Sequence, residues 1–239
     1  MTSPQAAFPV RLTGELDPAL SQWKWLFKWL LAIPHFIVLF FLWIGFVAST
    51  VVAGFAILFT GRYPRSIFDF NVGVLRWSWR VGFYSYSALG TDRYPAFSLA
   101  DDPSYPARLE VDYPEQPLSR GLVLVKWWLL AIPHYLIVGI FTGGAWSSWS
   151  NNGDGWLYAT AGGLIGLLVL FAGFSLLFTS RYPRPLFDFV LGMNRWCVRV
   201  AAYAGLMTDT YPPFRLDAGA TEPPPADIVA VPAAPLPAA

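Results

Sequence analysis

The residues of this chain that could do chemistry come in pairs. His35 and His134 are its two histidines, and each follows Ile-Pro within an apolar run. Two imidazoles at matching places could face each other as ligands of a haem or metal ion, if the segments that carry them are related by a two-fold axis. The structural alternative is a kink: proline removes a helix hydrogen bond, and a nearby histidine can donate to the carbonyl so freed. Arg62, Arg65, Arg76 and Arg80, with Arg181, Arg184, Arg195 and Arg199, form a second paired set. Guanidinium matches phosphate bidentately, so these eight are candidate contacts to anionic lipid or an acidic partner. Their local alternative is pairing four residues apart, Arg65 with Asp69 and Arg184 with Asp188. Asp92 and Asp209, each in a Thr-Asp step, could be acids of a lipid-modifying site, or could form turns by bonding local amides. Cys197 is the single cysteine, so an intramolecular disulfide is impossible, and no cysteine and histidine cluster has zinc spacing. Nucleophile elbows, phosphate loops and metal motifs of familiar spacing are missing. No catalytic residue and no cofactor is therefore assigned, apart from the haem or metal alternative at His35 and His134.

The pairing comes from an internal repeat. LLAIPHF at Leu30 to Phe36 returns as LLAIPHY at Leu129 to Tyr135. LFTGRYPRSIFDFNVGVLRWSWRV, from Leu58, returns as LFTSRYPRPLFDFVLGMNRWCVRV, from Leu177. TDRYPAFSL, from Thr91, returns as TDTYPPFRL, from Thr208, and the lead-in Pro9-Val-Arg-Leu12 resembles Pro106-Ala-Arg-Leu109. The chain reads as two copies of one module, 1–104 and 105–216, followed by a Pro and Ala-rich tail, 217–239, with too few large apolar residues to order itself.

The elements that must position these residues are set by composition. Of 239 residues 55% are hydrophobic, 18% aromatic and only 13% charged, with a net charge of +1, about half the charge of a soluble domain. Trp29 to Gly61 and Gly155 to Ser180 carry no charge at all. That pattern indicates a membrane protein and excludes a disordered chain, a disulfide scaffold and a nucleic-acid binder. The first twenty residues are polar and proline-marked, unlike a signal peptide. In the second copy two spans of about 20 residues are expected, 122–142 and 156–179, joined by a polar glycine-rich loop. In the first copy two shorter spans are expected, 24–43 and 46–61, with a tight turn near Gly45. Two spans per copy place every Lys and Arg on one face. This gives an all-α membrane protein with minor β structure, four transmembrane helices and both termini cytoplasmic. Lys24, Lys28 and Lys126 would snorkel, and Trp23, Trp25, Trp29, Trp127 and Trp128 would form an aromatic belt.

After each pair of spans comes a segment with arginines in its middle, 66–89 and 185–207. Asp69, Gly73, Arg76, Arg80 and Tyr84 fall on one stripe of a helix, as do Asp188, Gly192, Arg195, Arg199 and Tyr203. Interfacial amphipathic helices are expected, half-sunk among headgroups or packed beneath the spans. Phe8–Leu12, Tyr94–Leu99, Arg108–Tyr113 and Tyr211–Leu216 are expected as four strands of a small cytoplasmic sheet.

The motifs RYPR, FDF, Gly, Arg-Trp and Arg, then TD.YP.F, at Arg62 to Leu99 and again at Arg181 to Leu216, resemble the bacterial, largely actinobacterial, membrane family called domain of unknown function 4389. The resemblance implies a multi-pass protein of the bacterial inner membrane with a two-copy layout, and brings no activity. The expected role is a non-catalytic scaffold or accessory subunit contacting anionic lipid and other membrane-protein subunits. The alternatives are a protein holding a haem, metal or lipid between its modules and, more remotely, a lipid-handling enzyme or transporter.

Overall fold

The computed structural model of the protein describes residues 8–143, 163–217 and 219. Most of the expected glycine-rich loop and tail, with the first residues of the expected span 156–179, lie outside the described residues. The described part is mostly helical, with one two-stranded sheet.

The apolar run of the first copy forms one helix, α1 (Trp25–Thr60). At 1.5 Å per residue it is about 54 Å long, so the expected turn near Gly45 does not occur. Glycine inside a helix costs only about 1 kcal/mol, and here it admits Phe70, whose ring would stand 3.2 Å from a Cβ at this position. What keeps α1 continuous is its partner. Trp25, Lys28, Ala32, His35, Leu39, Phe46, Ala53 and Ile57 are buried, a repeat of three and four residues that puts one narrow stripe against the protein along the whole helix. The partner is α2 (Arg65–Tyr84), which runs back along α1, with Asn71 beside Ser49 and Trp77 beside His35.

The second copy builds the same rod from pieces: α3 (Arg120–Val125), a π-helical turn (Lys126–Leu130), α4 (Ile132–Thr142) and α5 (Gly163–Thr179). The rod bends by 45° where the π turn meets α4. The expected hairpin of 122–142 and 156–179 is not formed. The companion helix α6 (Arg184–Ala204) leaves the end of α5 and then reaches α4, where Trp196 meets both His134 and Phe141. Its last turn reaches the π turn, where Lys126 Nζ stands 5.5 Å from the ring of Tyr203. Thus α4 and α5 lie end to end along α6. Gly143 and Gly163 meet at the joint, where a Cβ on Gly163 would clash with the amide nitrogen of Gly143. Among the described residues one helix is long and apolar enough to cross a membrane, and the bent α3–α4 pair is a second candidate. The four-span layout is not reproduced.

The two rods lie antiparallel. Trp25, at the start of α1, packs on Gly173 and Phe174 of α5, while Gly54 near its end faces Val123 of α3. Beneath the rods come α2 and α6, and beneath those the sheet. Its strands β1 (Val10–Gly14) and β2 (Ala107–Val111) pair antiparallel, with Leu12 opposite Leu109. The strands are exchanged between copies: β1 packs on α6 and β2 on α2, so the two modules interlock. The segments 94–99 and 211–216 are irregular rather than strands. Pro95, Pro212 and Pro213 cannot donate to a ladder, and these segments fold back over the histidines.

Candidate functional site

Each histidine sits in an aromatic cage made by its own copy. His35 Nδ1 accepts from the Trp77 indole at 3.2 Å, and the ring stacks on Phe97 at 3.9 Å with Tyr94 at 4.8 Å. His134 Nδ1 accepts from Trp196 at 3.1 Å, with Phe214 at 4.4 Å and Tyr211 at 4.8 Å. The structure does not set the two imidazoles face to face around a shared ligand. Each has one nitrogen committed to an indole and one face covered by a phenyl ring, which fixes the other nitrogen as the protonated one. The helix carbonyls near each proline are relieved by tyrosines rather than histidines: Tyr94 donates to Leu31 O and Tyr211 to Leu130 O, both at 3.1 Å. The missed partners Trp77, Tyr94 and Phe97 were signalled by the repeat, since Arg-Trp and YP.F recur with the histidine in both copies.

The Thr-Asp steps clamp the starts of the rods. Asp92 accepts from the Ser21 amide at 2.8 Å and from Lys28 at 2.9 Å, and Lys28 also reaches Thr91 O. Asp209 accepts from the Ser119 amide at 2.6 Å and from Lys126 at 2.7 Å, and Lys126 also reaches Thr208 O. Both lysines are fully buried, so neither snorkels. The amides that the aspartates bond are distant in the chain rather than local, the local turns being made by Thr91 and Thr208, whose hydroxyls accept from the Arg93 and Thr210 amides, and each aspartate neutralises a buried ammonium. Trp25 is likewise buried beneath the second rod, while Trp23, Trp29, Trp127 and Trp128 are exposed.

The eight arginines divide by depth. Arg76, Arg80, Arg195 and Arg199 lie between α2 or α6 and the sheet layer, not among headgroups. Arg76 Nε donates to Leu109 O at 3.2 Å and Arg195 Nε to Leu12 O at 2.7 Å. Each arginine thus grips the strand of the other copy at the central pair of the sheet. Arg80 donates to Ser98 O, and Arg199 pairs with Asp217 at 2.8 Å. Burial pulls the Arg80 guanidinium below its ordinary pKa, with Asp102 and Asp101 working against it. The helix stripe containing these residues is real, but its polar face meets the protein's own strands and loops. Gly73 shows how closely: a Cβ there would lie 2.8 Å from that of Leu99. The heads of these four are held by the protein's own backbone and carboxylate groups.

Arg62, Arg65, Arg181 and Arg184 are exposed. Arg65 pairs with Asp69 at 3.2 Å and Arg184 with Asp188 at 3.9 Å, each four residues on. They mark the far ends of the two rods, one pair at each end of the molecule. Arg120 was missed because it falls outside the repeat, where the first copy has Gln22. It is exposed beside Gly61, its Nε 3.8 Å from where a Cβ would stand.

Between these cationic ends the outer faces of the rods are apolar and open. Ile37, Ile44 and Val51 are 56%, 55% and 55% exposed, and Phe41, Phe59, Leu136 and Phe178 are exposed too. The ion pairs of the third layer, Arg11 with Glu110 and Asp112 and Arg108 with Asp101, lie on the opposite side of α2 and α6. That layer runs the length of α1, from Tyr94 beside Leu31 to Tyr113, whose hydroxyl bonds Tyr63 O at 2.5 Å.

Comparison with known proteins places the model of one family, described as Domain of unknown function (DUF4389), on residues 22–98 and 155–215, one match per copy. No curated protein and no solved structure matches the chain.

Proposed function

The chain belongs to the family of the domain of unknown function (DUF4389), and because that membership carries no activity, we propose its role from its architecture: a non-catalytic membrane scaffold. Its two rods lie in the plane of one leaflet, and its polar layer faces the cytosol. The observation that carries this reading is the layering. Large apolar side chains are exposed along both rods, and the charged sheet layer runs parallel to them for their full length.

An upright α1 would drag Arg11, Arg108, Glu110 and Asp112 through the hydrocarbon, where a charged side chain costs about 2.5 to 3.5 kcal/mol or more. Lying flat, the rods bury their apolar faces in lipid while the charges stay in water, as interfacial helices do. Arg62 and Arg65 at one end, with Arg181 and Arg184 at the other, meet anionic headgroups. A flat placement also keeps both termini on the cytosolic side without any crossing.

Spin labels at Ile37, Ile44 and Val51, each as a single cysteine in a Cys197→Ser background in reconstituted vesicles, test the placement. The expected result is one common depth for all three. A gradient of about 10 Å per seven residues, the rise of a helix crossing the bilayer, would overturn it.

A further inference from the structure

An apolar groove of about 540 Å3 lies between the second half of α1 and the α3 end of the other rod. At the two-fold-related place only the outer end is plugged, the inner part staying open as a pocket of about 660 Å3 lined by Phe36, Gly82, Tyr86, Thr142, Ile165 and Gly166. At that outer end Trp25 covers Gly173, its ring 3.2 Å from where a Cβ would stand, and Tyr86 donates to Trp25 O at 2.7 Å. Two changes in the second copy empty the matching space. Lys28 and Lys126 take the same role, so Trp25 corresponds to Val123, which stands 3.8 Å from a Cβ position at Gly54. The stretch that holds Tyr86 is two residues shorter there and supplies Gly205, which lines the groove floor. Its wall on α1 includes Phe46, Gly54 and Leu58.

Two arginines flank the groove's lining residues in the chain, and Arg120 Nε stands 3.8 Å from where a Cβ on Gly61 would be. Arg62 lies one turn beyond Leu58, and Arg120 one turn before Val123. Both are exposed, and neither side chain has an ion pair among the described residues. Asp209, the carboxylate that meets the start of α3, is already held by Lys126 and the Ser119 amide. An apolar slot within the range of ligand pockets, roughly 300 to 1,000 Å3, therefore has close to it in the chain two guanidiniums without ion pairs, the group that pairs best with phosphate.

We propose that this groove seats one acyl chain of an anionic phospholipid, with its phosphate between Arg62 and Arg120. The inference rests on the membrane placement above and adds a defined, asymmetric lipid site to it.

Native mass spectrometry tests it on the full chain, extracted in mild detergent from vesicles of phosphatidylglycerol and phosphatidylcholine in equal amounts. The wild type is expected to retain one phosphatidylglycerol per chain. Val123→Trp, which restores the first copy's plug, is expected to lower that retention about tenfold. Arg62→Gln with Arg120→Gln, surface changes that leave packing intact, is expected to abolish the preference for phosphatidylglycerol over phosphatidylcholine. Retention unchanged in Val123→Trp, or a preference unchanged in the arginine pair, overturns the proposal, and if Val123→Trp does not fold the arginine pair alone decides. Carbonate extraction separates the two levels. Wild type released by carbonate means that the membrane placement itself fails, whereas wild type retained beside a variant that still binds lipid means that only the groove fails.

Discussion

The two copies place nearly the same motifs on the same scaffold and differ in how the rod is made. In the first, Lys28 and His35 are seven residues apart, two helical turns, and both face inward on an unbroken helix. In the second, an extra tryptophan turns KWLLA into KWWLLA, and Lys126 and His134 are eight apart. A plain α-helix would swing one of them outward by 100°. The π turn at Lys126–Leu130 absorbs the added residue instead, with the Ala131 amide bonding Lys126 O at 3.1 Å, so both anchors stay buried. The loosened carbonyls find side-chain donors: Trp128 reaches Leu124 O at 2.6 Å, and Tyr135, where the first copy has Phe36, reaches Trp127 O at 2.5 Å. Anchors at the two ends of a segment fix the fold more firmly than the length between them does.

The interiors also differ. Under α1 runs a polar chain: Ser49 donates to Asn71 at 2.7 Å, Asn71 to the Tyr63 hydroxyl at 2.8 Å, and that hydroxyl to Gly205 O at 3.3 Å. At the matching places the second copy has Leu168 and Val190. The second copy instead buries a full ion pair, Arg199 with Asp217, where Arg80 has only a backbone carbonyl.

This contrast can be broken by mutation. Asp217→Asn is expected to have the largest effect, about 3 to 5 kcal/mol of lost stability, because it strips the charge partner from a buried guanidinium. Asp102→Asn in the first copy should cost less than about 1 kcal/mol, since its partner Arg93 stands 3.8 Å away and half exposed. Chemical unfolding in detergent reads both, and equal losses would erase the distinction. Asn71→Val should cost about 1 to 3 kcal/mol by removing one partner each from Ser49 and Tyr63, which keep Phe46 O and Gly205 O, whereas Ser49→Leu, Thr50→Val and Asn71→Val together, the second copy's residues, should recover most of the loss. A triple variant worse than the single would show that the chain does more than satisfy itself. The smallest effect concerns the π turn. Tyr135→Phe should cost about 1 kcal/mol in the wild type and nothing once Trp128 is deleted, a coupling that a double-mutant cycle in the same unfolding assay measures directly.

Much of the candidate site could be read from the repeat. Its recurrence paired Asp92 with Asp209 and each stretch of RYPR with its twin, but the amides and lysines that the aspartates bind lie far off in the chain. The amphipathic stripe of Arg76 and Arg80 was equally legible as a helix face. Its partner was not, because periodicity says that a face is polar and never what covers it. Leu12 and Leu109, whose carbonyls receive Arg195 and Arg76, lie far off in sequence and in the opposite copy.

By itself the sequence determined the duplication, the helical character, the apolar surface and the clustering of charge, since these depend on residue type and local period. Whether 22–61 turns back on itself or runs straight was decided by tertiary packing. Bilayer thickness favours two short helices, but α1 presents one stripe of three-and-four spacing along its whole length, which α2 covers in the middle and the other rod at the ends. Packing likewise decided which arginines meet solvent and which hold the sheet.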